Sequence, residues 1–469
     1  MTYELKMLRM KKNSSGLLSQ LVNFGLGPLI GMGISMLTVP VTTRLVSPEE
    51  YGKSSLFTLF QSVFLLVGLL GLDQSYTRFY NEEKINKHKL LFHVTFFPLC
   101  VSIFLIVLLL IFQQRISFFL FGSYELDLIV ATCFFIPVLI INRFALLQIR
   151  MDLRGRTYSF LNIVTQLINF IVLVLFLFLY EKSFRAIVYS IIVGQVVATV
   201  IILFFVKTEF NWKNLQLDWG LSREIFRFGI PLIPASLLSW LLNSFDKVGL
   251  RAWSTFDELG LYAAAFKIVA ILSALQSIFT TAWVPVAYKW YEQKVSVSQF
   301  EKVSVVVSAV MSLGFAGIVL FRNVIMLFLG AEYRGTESIF VFLLFVPVMY
   351  TISETTTLGI TFSKKTIFNV YVAIIAAALN IVGNYFLIPI WGAQGAAIST
   401  CISYIAFFFA RTLFSRKLWF NFKVGIHFFN IFFLLVLSLV VFFRLAFVFE
   451  VTIFAILFAI NVLSLKNIL

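Results

Sequence analysis

The sequence predicts an all-α, polytopic membrane protein with about fourteen transmembrane helices, and three observations carry that reading. Of its 469 residues, 60% are hydrophobic and 13% charged, with a mean hydropathy of +0.96, which leaves too little polar surface to coat a soluble globule. The apolar residues fall in blocks of about 18 to 25, the length a helix needs to cross a hydrocarbon core of about 30 Å. The charges lie in short connectors, sorted by sign.

The blocks place spans at 17–41, 52–72, 90–112, 126–148, 158–180, 187–205, 228–246, 259–284, 303–321, 338–359, 367–390, 395–414, 424–441 and 446–464. With the N-terminus inside, inner segments hold 25 Lys/Arg against 10 Asp/Glu, and outer connectors hold 10 against 11. That is the positive-inside asymmetry, and it predicts cytoplasmic termini. The net charge of +15 is therefore topological and implies no nucleic-acid partner. Trp212, Trp219, Trp253, Trp290, Trp391 and Trp419 stand at or near span ends, where amphipathic rings prefer the interface, whereas Trp240 and Trp283 are internal. The basic start (Lys6, Arg9, Lys11, Lys12) runs into a span too long for a signal h-region, so no cleaved peptide is expected.

Cys100, Cys133 and Cys401 lie in apolar spans without ligand spacing, and the histidines are His88, His93 and His427. Such a set predicts neither a disulfide framework nor a structural metal, and no catalytic residue is assigned.

An internal repeat organises the spans. Ser47–Gly52 matches Thr255–Gly260 at an offset of 208, Arg78–Tyr80 matches Lys289–Tyr291 at 211, and Asn169 matches Asn380 at 211. Six spans per repeat is an even number, so the halves enter the membrane in the same sense, as parallel repeats do. The expected organisation is a cytoplasmic segment (1–15), a six-helix lobe (16–206), a cytoplasmic linker (207–227), a second six-helix lobe (228–414) and two further helices (415–469). Spans one and seven each carry two prolines (Pro28 and Pro40; Pro231 and Pro234), which break backbone hydrogen bonds and allow bending.

Pro40–Gly52 (PVTTRLVSPEEYG), Phe228–Leu250 (FGIPLIPASLLSWLLNSFDKVGL), Leu259–Val269 (LGLYAAAFKIV) and Gly392–Ser399 (GAQGAAIS) resemble the Wzx-type polysaccharide flippases over spans one to twelve. The resemblance implies a member of the multidrug, oligosaccharidyl-lipid and polysaccharide exporter superfamily, with two lobes forming a V around a central cavity. It implies a bacterial plasma-membrane protein that moves undecaprenyl-pyrophosphate-linked oligosaccharide between leaflets for capsule, O-antigen or teichoic acid synthesis, alongside other assembly proteins. No cofactor is implied beyond a coupling sodium ion or proton.

A diphosphate crossing hydrocarbon needs a cationic, hydrated path. Lys267, deep in the eighth span among Ala263, Ala264 and Ala270, is the leading candidate, followed by Arg44 and Arg251 at outer span ends and Arg78 and Arg143 near inner ends. The bland alternatives are an ion pair of Lys267 with Asp246, and snorkelling or positive-inside anchoring for the arginines. Glu354, inside the tenth span, is expected either to carry protons or to pair with Lys364 or Lys365. Asn380 and Asn384 share a helix face, and with Thr400 and Asp246 or Asn243 they resemble the sodium site of lipid II flippases. Asn384 departs from that pattern, which would place a carboxylate there, and the two asparagines could instead join helices by hydrogen bonds.

Two other functions fit less well. A multidrug cation antiporter shares the implied fold but would favour an apolar or acidic cavity. A membrane glycan polymerase or ligase would need a large outer loop with catalytic Arg or His, and no outer connector exceeds about 20 residues.

Overall fold

The computed structural model describes residues 2–207, 210, 217–420 and 424–466, with side chains described at 23 and from 25 onward except at 242. Trp212 and much of the expected linker lie outside the described residues, as do the side chains of Lys6, Arg9, Lys11 and Lys12. The described chain is helical almost throughout, as an apolar medium demands, because a helix satisfies its own backbone groups. Two compact units divide it: Met1–Val46 with Lys53–Asn243, and Ser47–Gly52 with Ser244–Leu469.

The first unit is built from α1 (Thr2–Leu45), most of α2 (Pro48–Gly68), α3 (Leu72–Phe79), α4 (Lys87–Ile111), α5 (Gln113–Phe121), α6 (Leu126–Met151), α7 (Gly155–Leu179), α8 (Phe184–Val206), α9 (Trp219–Gly229) and the start of α10 (Ile233–Trp253). α1 lies along α7, with the Gly27 amide donating to Ser159 Oγ at 3.0 Å, a small-residue contact of the kind that lets membrane helices approach closely. α2 and α3 meet at a 54° bend where Leu70 and Gly71 are both left-handed. α9 is amphipathic: its buried Leu221 and Ile225 join a core with Leu72, Tyr76 and Phe144, and Ser75 Oγ donates to Ile225 O at 2.7 Å. That docking explains why the unit runs through the expected linker to Asn243, inside α10.

The second unit continues α10 and adds α11 (Phe256–Glu292), α12 (Val297–Leu320), α13 (Arg322–Phe328), α14 (Thr336–Leu343), α15 (Phe345–Thr356), α16 (Leu358–Phe362), α17 (Ile367–Leu418), α18 (Gly425–Phe442) and α19 (Phe447–Lys466). Thr255 caps α11 by accepting from the Glu258 amide. α17 breaks at Gly392 (φ 52°, ψ −128°), a conformation suited to glycine, and Glu258 Oε2 caps the new segment by accepting from the Ala393 amide at 2.7 Å. α18 and α19 dock through buried polar pairs: Asn430 and Asn461 exchange amide bonds, Asn430 donates to Ser308, and His427 meets Ser304.

Among the described residues twelve helices are long and apolar enough to cross a membrane, and the bent α2–α3 pair makes a thirteenth span. Division of α17 at Gly392 recovers the separate eleventh and twelfth spans expected from sequence. The chain is a multi-pass membrane protein. Glu450 and Arg411, which the charge tally groups with the connectors although they fall inside the expected spans 446–464 and 395–414, are buried in α19 and mostly buried on α17 respectively.

Candidate functional site

The polar centre of the second unit forms around Asp246, which α10 buries to 4% exposure. Oδ1 accepts from Asn380 Nδ2 at 3.0 Å and Asn384 Nδ2 at 2.6 Å, and Oδ2 accepts from Thr400 Oγ1 at 2.9 Å and Tyr262 OH at 2.5 Å. The break at Gly392 lets α17 run past itself, so Asn380 and Thr400 come from its two segments and bond at 3.2 Å. Ser399 Oγ fastens that crossing by donating to Asn380 O. Asn384 also donates to Asn380 Oδ1 at 3.1 Å, while its own fully buried Oδ1 has no hydrogen-bond partner.

Every donor to Asp246 is neutral. Among the described residues no Lys or Arg pairs with it, so the expected Lys267 ion pair is absent: both carboxylate oxygens are occupied by amides and hydroxyls from α11 and α17. Lys267 instead sits on the exposed side of α11, opposite buried Ala264, Ala265 and Ile268, with no acid partner among the described residues. Asn243 stays out of the cluster, since it is exposed and donates to Ser239 O one turn back on its own helix.

The other candidates are engaged elsewhere. Glu354 pairs with Arg411 (2.9 Å), which also bonds Ser353 and lies over the Tyr350 and Phe407 rings. The expected partners Lys364 and Lys365 are exposed beyond the end of α16, so this pairing is corrected. Arg143 pairs with Asp73 (2.8 Å) and Arg78 with Glu82 (2.9 Å), both within the first unit. Arg251 lies over the Phe256 ring at 4.4 Å, and Arg44 is exposed at the end of α1.

Sequence reasoning missed Tyr262, whose hydroxyl sits among the small residues of LGLYAAAF, and it missed a second buried charge centre. There Arg322 Nε bonds Glu337 at 2.5 Å, and its Nη1 pairs with the fully buried Glu450. Just outside the spans, Asp218 accepts from the Lys89 ammonium at 2.7 Å, which, with the amides that Asp218 caps, holds its carboxyl down at about 2. His93 braces this corner, with Nδ1 2.7 Å from Lys89 O and Nε2 accepting from the Asp218 amide at 2.8 Å. A shallow apolar pocket of about 330 Å³ in the first unit, lined by Phe60, Phe112, Arg115, Ile116 and Phe119, holds none of the expected residues.

Known proteins share this architecture. The chain is similar to the lipid II flippase MurJ in its inward closed conformation, with a TM-score of 0.71 and 16% identity over 93% of this chain and 97% of that one. An inward-facing MATE transporter of the MOP superfamily gives a TM-score of 0.61 at 15% identity, over 85% and 97% of the two chains. These likenesses establish the fold. The probable low-salt glycan biosynthesis flippase Agl15 of Haloferax volcanii is 22% identical over 80% of this chain and 78% of its own length. Residues 21–290, more than half of the sequence, match the family described as polysaccharide biosynthesis protein, and to that family the chain belongs.

Proposed function

We propose that this protein is a flippase that moves undecaprenyl-pyrophosphate-linked oligosaccharide from the cytoplasmic to the outer leaflet of a bacterial plasma membrane by alternating access. The observation that carries the reading is Lys267, an exposed cation within a long apolar helix, without an acid partner among the described residues. A charge placed in a span without compensation is costly unless it faces a hydrated path or an anionic ligand. A lipid diphosphate supplies that ligand. The family and the flippase Agl15 support the substrate class, and the charge tally supports cytoplasmic termini.

Asp246 supports coupling to a monovalent cation. Its hydrogen-bond donors are all neutral, with the Lys247 ammonium acting on it electrostatically from the next position of α10, and a monovalent ion adds less excess charge to such a site than a divalent one. Asn384 Oδ1, buried without a partner, supplies a further ligand, and a half-turn of the Asn380 amide would supply another. Asp246, Asn380, Asn384 and Thr400 would hold the ion, with Tyr262 orienting the carboxylate. The multidrug antiporter reading draws on the MATE-like fold, but exposed Lys267 would repel a cationic drug.

Replacement of the lysine tests the reading. Lys267→Ala should abolish export of surface polysaccharide at normal expression. Unchanged export in a strain with no other flippase would overturn the assignment.

A further inference from the structure

The acids at the outer edge of the first unit engage one arginine and leave another beside a pocket. α5 follows α4 after the single residue Phe112, and the span of α6 begins five residues beyond its end, so α5 lies level with the ends of two spans. By the charge tally this connector faces outward. Its residues divide by face: Ser117, Leu120 and Phe121 are buried, and Arg115, Phe118 and Phe119 are exposed. Ser117 Oγ donates to Ser123 O and accepts from the Glu125 amide, both at 2.8 Å, which pins the helix to the chain that follows it. An amphipathic helix held at this depth presents its rings to acyl chains and its polar positions to headgroups.

The charges around it are unevenly matched. In the outer stretches 112–127 and 180–185 the acids are Glu125, Asp127 and Glu181, and the cations are Arg115, Lys182 and Arg185. Arg185 takes all three acids: it pairs with Asp127, with Glu125 at 3.4 Å and with Glu181 at 3.9 Å. Arg115 is exposed and has no acid partner among the described residues. It lines the apolar pocket of about 330 Å³ together with Phe60 of α2, Phe112, Ile116 and Phe119, all within the first unit. Phe60 and Ile116 rest in turn on the buried Leu109, Ile129 and Ile136, so the pocket is founded on packed core. A guanidinium at headgroup level beside such a pocket matches an amphiphile with a phosphate at one end and a hydrocarbon chain at the other.

We propose that this pocket holds one resident anionic phospholipid, with a stretch of acyl chain on Phe60, Phe112, Ile116 and Phe119 and the phosphodiester on Arg115. A zwitterionic headgroup carries its own cation beside the phosphate and gains less from the arginine. One guanidinium suits the single charge of a phosphodiester such as phosphatidylglycerol, whereas the diphosphate of a polyprenyl carrier calls for more than one cation.

Photochemical labelling of the full chain in nanodiscs tests it without any transport. Phosphatidylglycerol with a diazirine in one acyl chain, at low mole fraction in phosphatidylcholine, should label residues 112–121 and Phe60, and excess unlabelled phosphatidylglycerol should compete. Arg115→Gln should lower that labelling about fivefold, the order of one cation's effect on an anionic lipid. Lys182→Gln, at an exposed cation that does not line the pocket, should leave it unchanged. Equal labelling by the matching diazirine phosphatidylcholine, or equal losses in the two variants, would reduce the effect to the diffuse attraction of any outer cation and overturn the site. Undecaprenyl phosphate that displaces the label at lower concentration than phosphatidylglycerol would give the pocket to the polyprenyl carrier and overturn it as well.

Discussion

Glu450 and Asp246 are both buried acids of the second unit, at 0% and 4% exposure, and their surroundings differ in the charge of what they touch. Glu450 faces the guanidinium of Arg322, which also holds Glu337 at 2.5 Å. Asp246 faces two amides and two hydroxyls. Glu354, with Arg411 at 2.9 Å, follows the first pattern. A carboxylate neutralised by a fixed guanidinium is complete, and it ties α13 and α14 to α19. One whose hydrogen-bond donors are all neutral has no fixed ion pair, which leaves room for a cation that comes and goes.

The first way to break the comparison is to remove the fixed cation. Arg322→Met should strand Glu450 without compensation and destabilise the protein by about 3–5 kcal/mol, seen as a large fall in Tm in detergent. The double variant Arg322→Met with Glu450→Leu should recover most of that loss, because no buried charge remains. A single variant that melts with the parent protein would remove Arg322 from its structural role.

A smaller effect is expected at the other acid. Tyr262→Phe deletes one of four donors to Asp246 and should cost about 1.5–3 kcal/mol, the worth of a hydrogen bond to a charged group. It should also change the cation dependence of transport, which Arg322 variants that still fold should leave alone. Equal cation dependence in Tyr262→Phe and the parent protein would deny the tyrosine an orienting part.

The smallest effect belongs to an acid at the membrane surface. Asp218 is held at about 2 by the Lys89 ammonium, below the ordinary 3.8, so its contribution is present above about pH 4 and is lost as pH falls from there through about 2. The group is partly exposed and screened, and Asp218→Asn keeps a capping oxygen for α9, so its Tm at pH 7 should match the parent's. Asp218→Ala, which loses the cap as well, should melt measurably lower. If both variants melt alike, the cap adds nothing.

How much of this was legible follows from what each feature depends on. Span positions rest on local hydropathy, and some helices lie within a few residues of the expected blocks, with Lys87–Ile111 over 90–112 and Gly425–Phe442 over 424–441, whereas Trp219–Leu241 begins well before 228–246 and Phe256–Glu292 runs past the end of 259–284. The grouping of Asp246, Asn380, Asn384 and Thr400 was also legible, because four-residue spacing fixes a helix face and the repeat orders the spans. The guanidinium pairs were not. Arg322 and Glu450 are 128 residues apart, Arg322 just past the end of the expected span 303–321 and Glu450 near the start of 446–464, and nothing in local sequence joins two such positions. Lys267 seemed a natural partner for Asp246, but Tyr262 occupies the second oxygen from the same helix.

The central claim is that Asp246, held by neutral hydrogen-bond donors and no ion pair, couples cation movement to flipping, and reconstituted vesicles test it most directly. An imposed sodium gradient should accelerate flipping of undecaprenyl-pyrophosphate-linked oligosaccharide by the parent protein and have no effect on folded Asp246→Asn. Sodium-driven flipping that survives in Asp246→Asn would contradict the account.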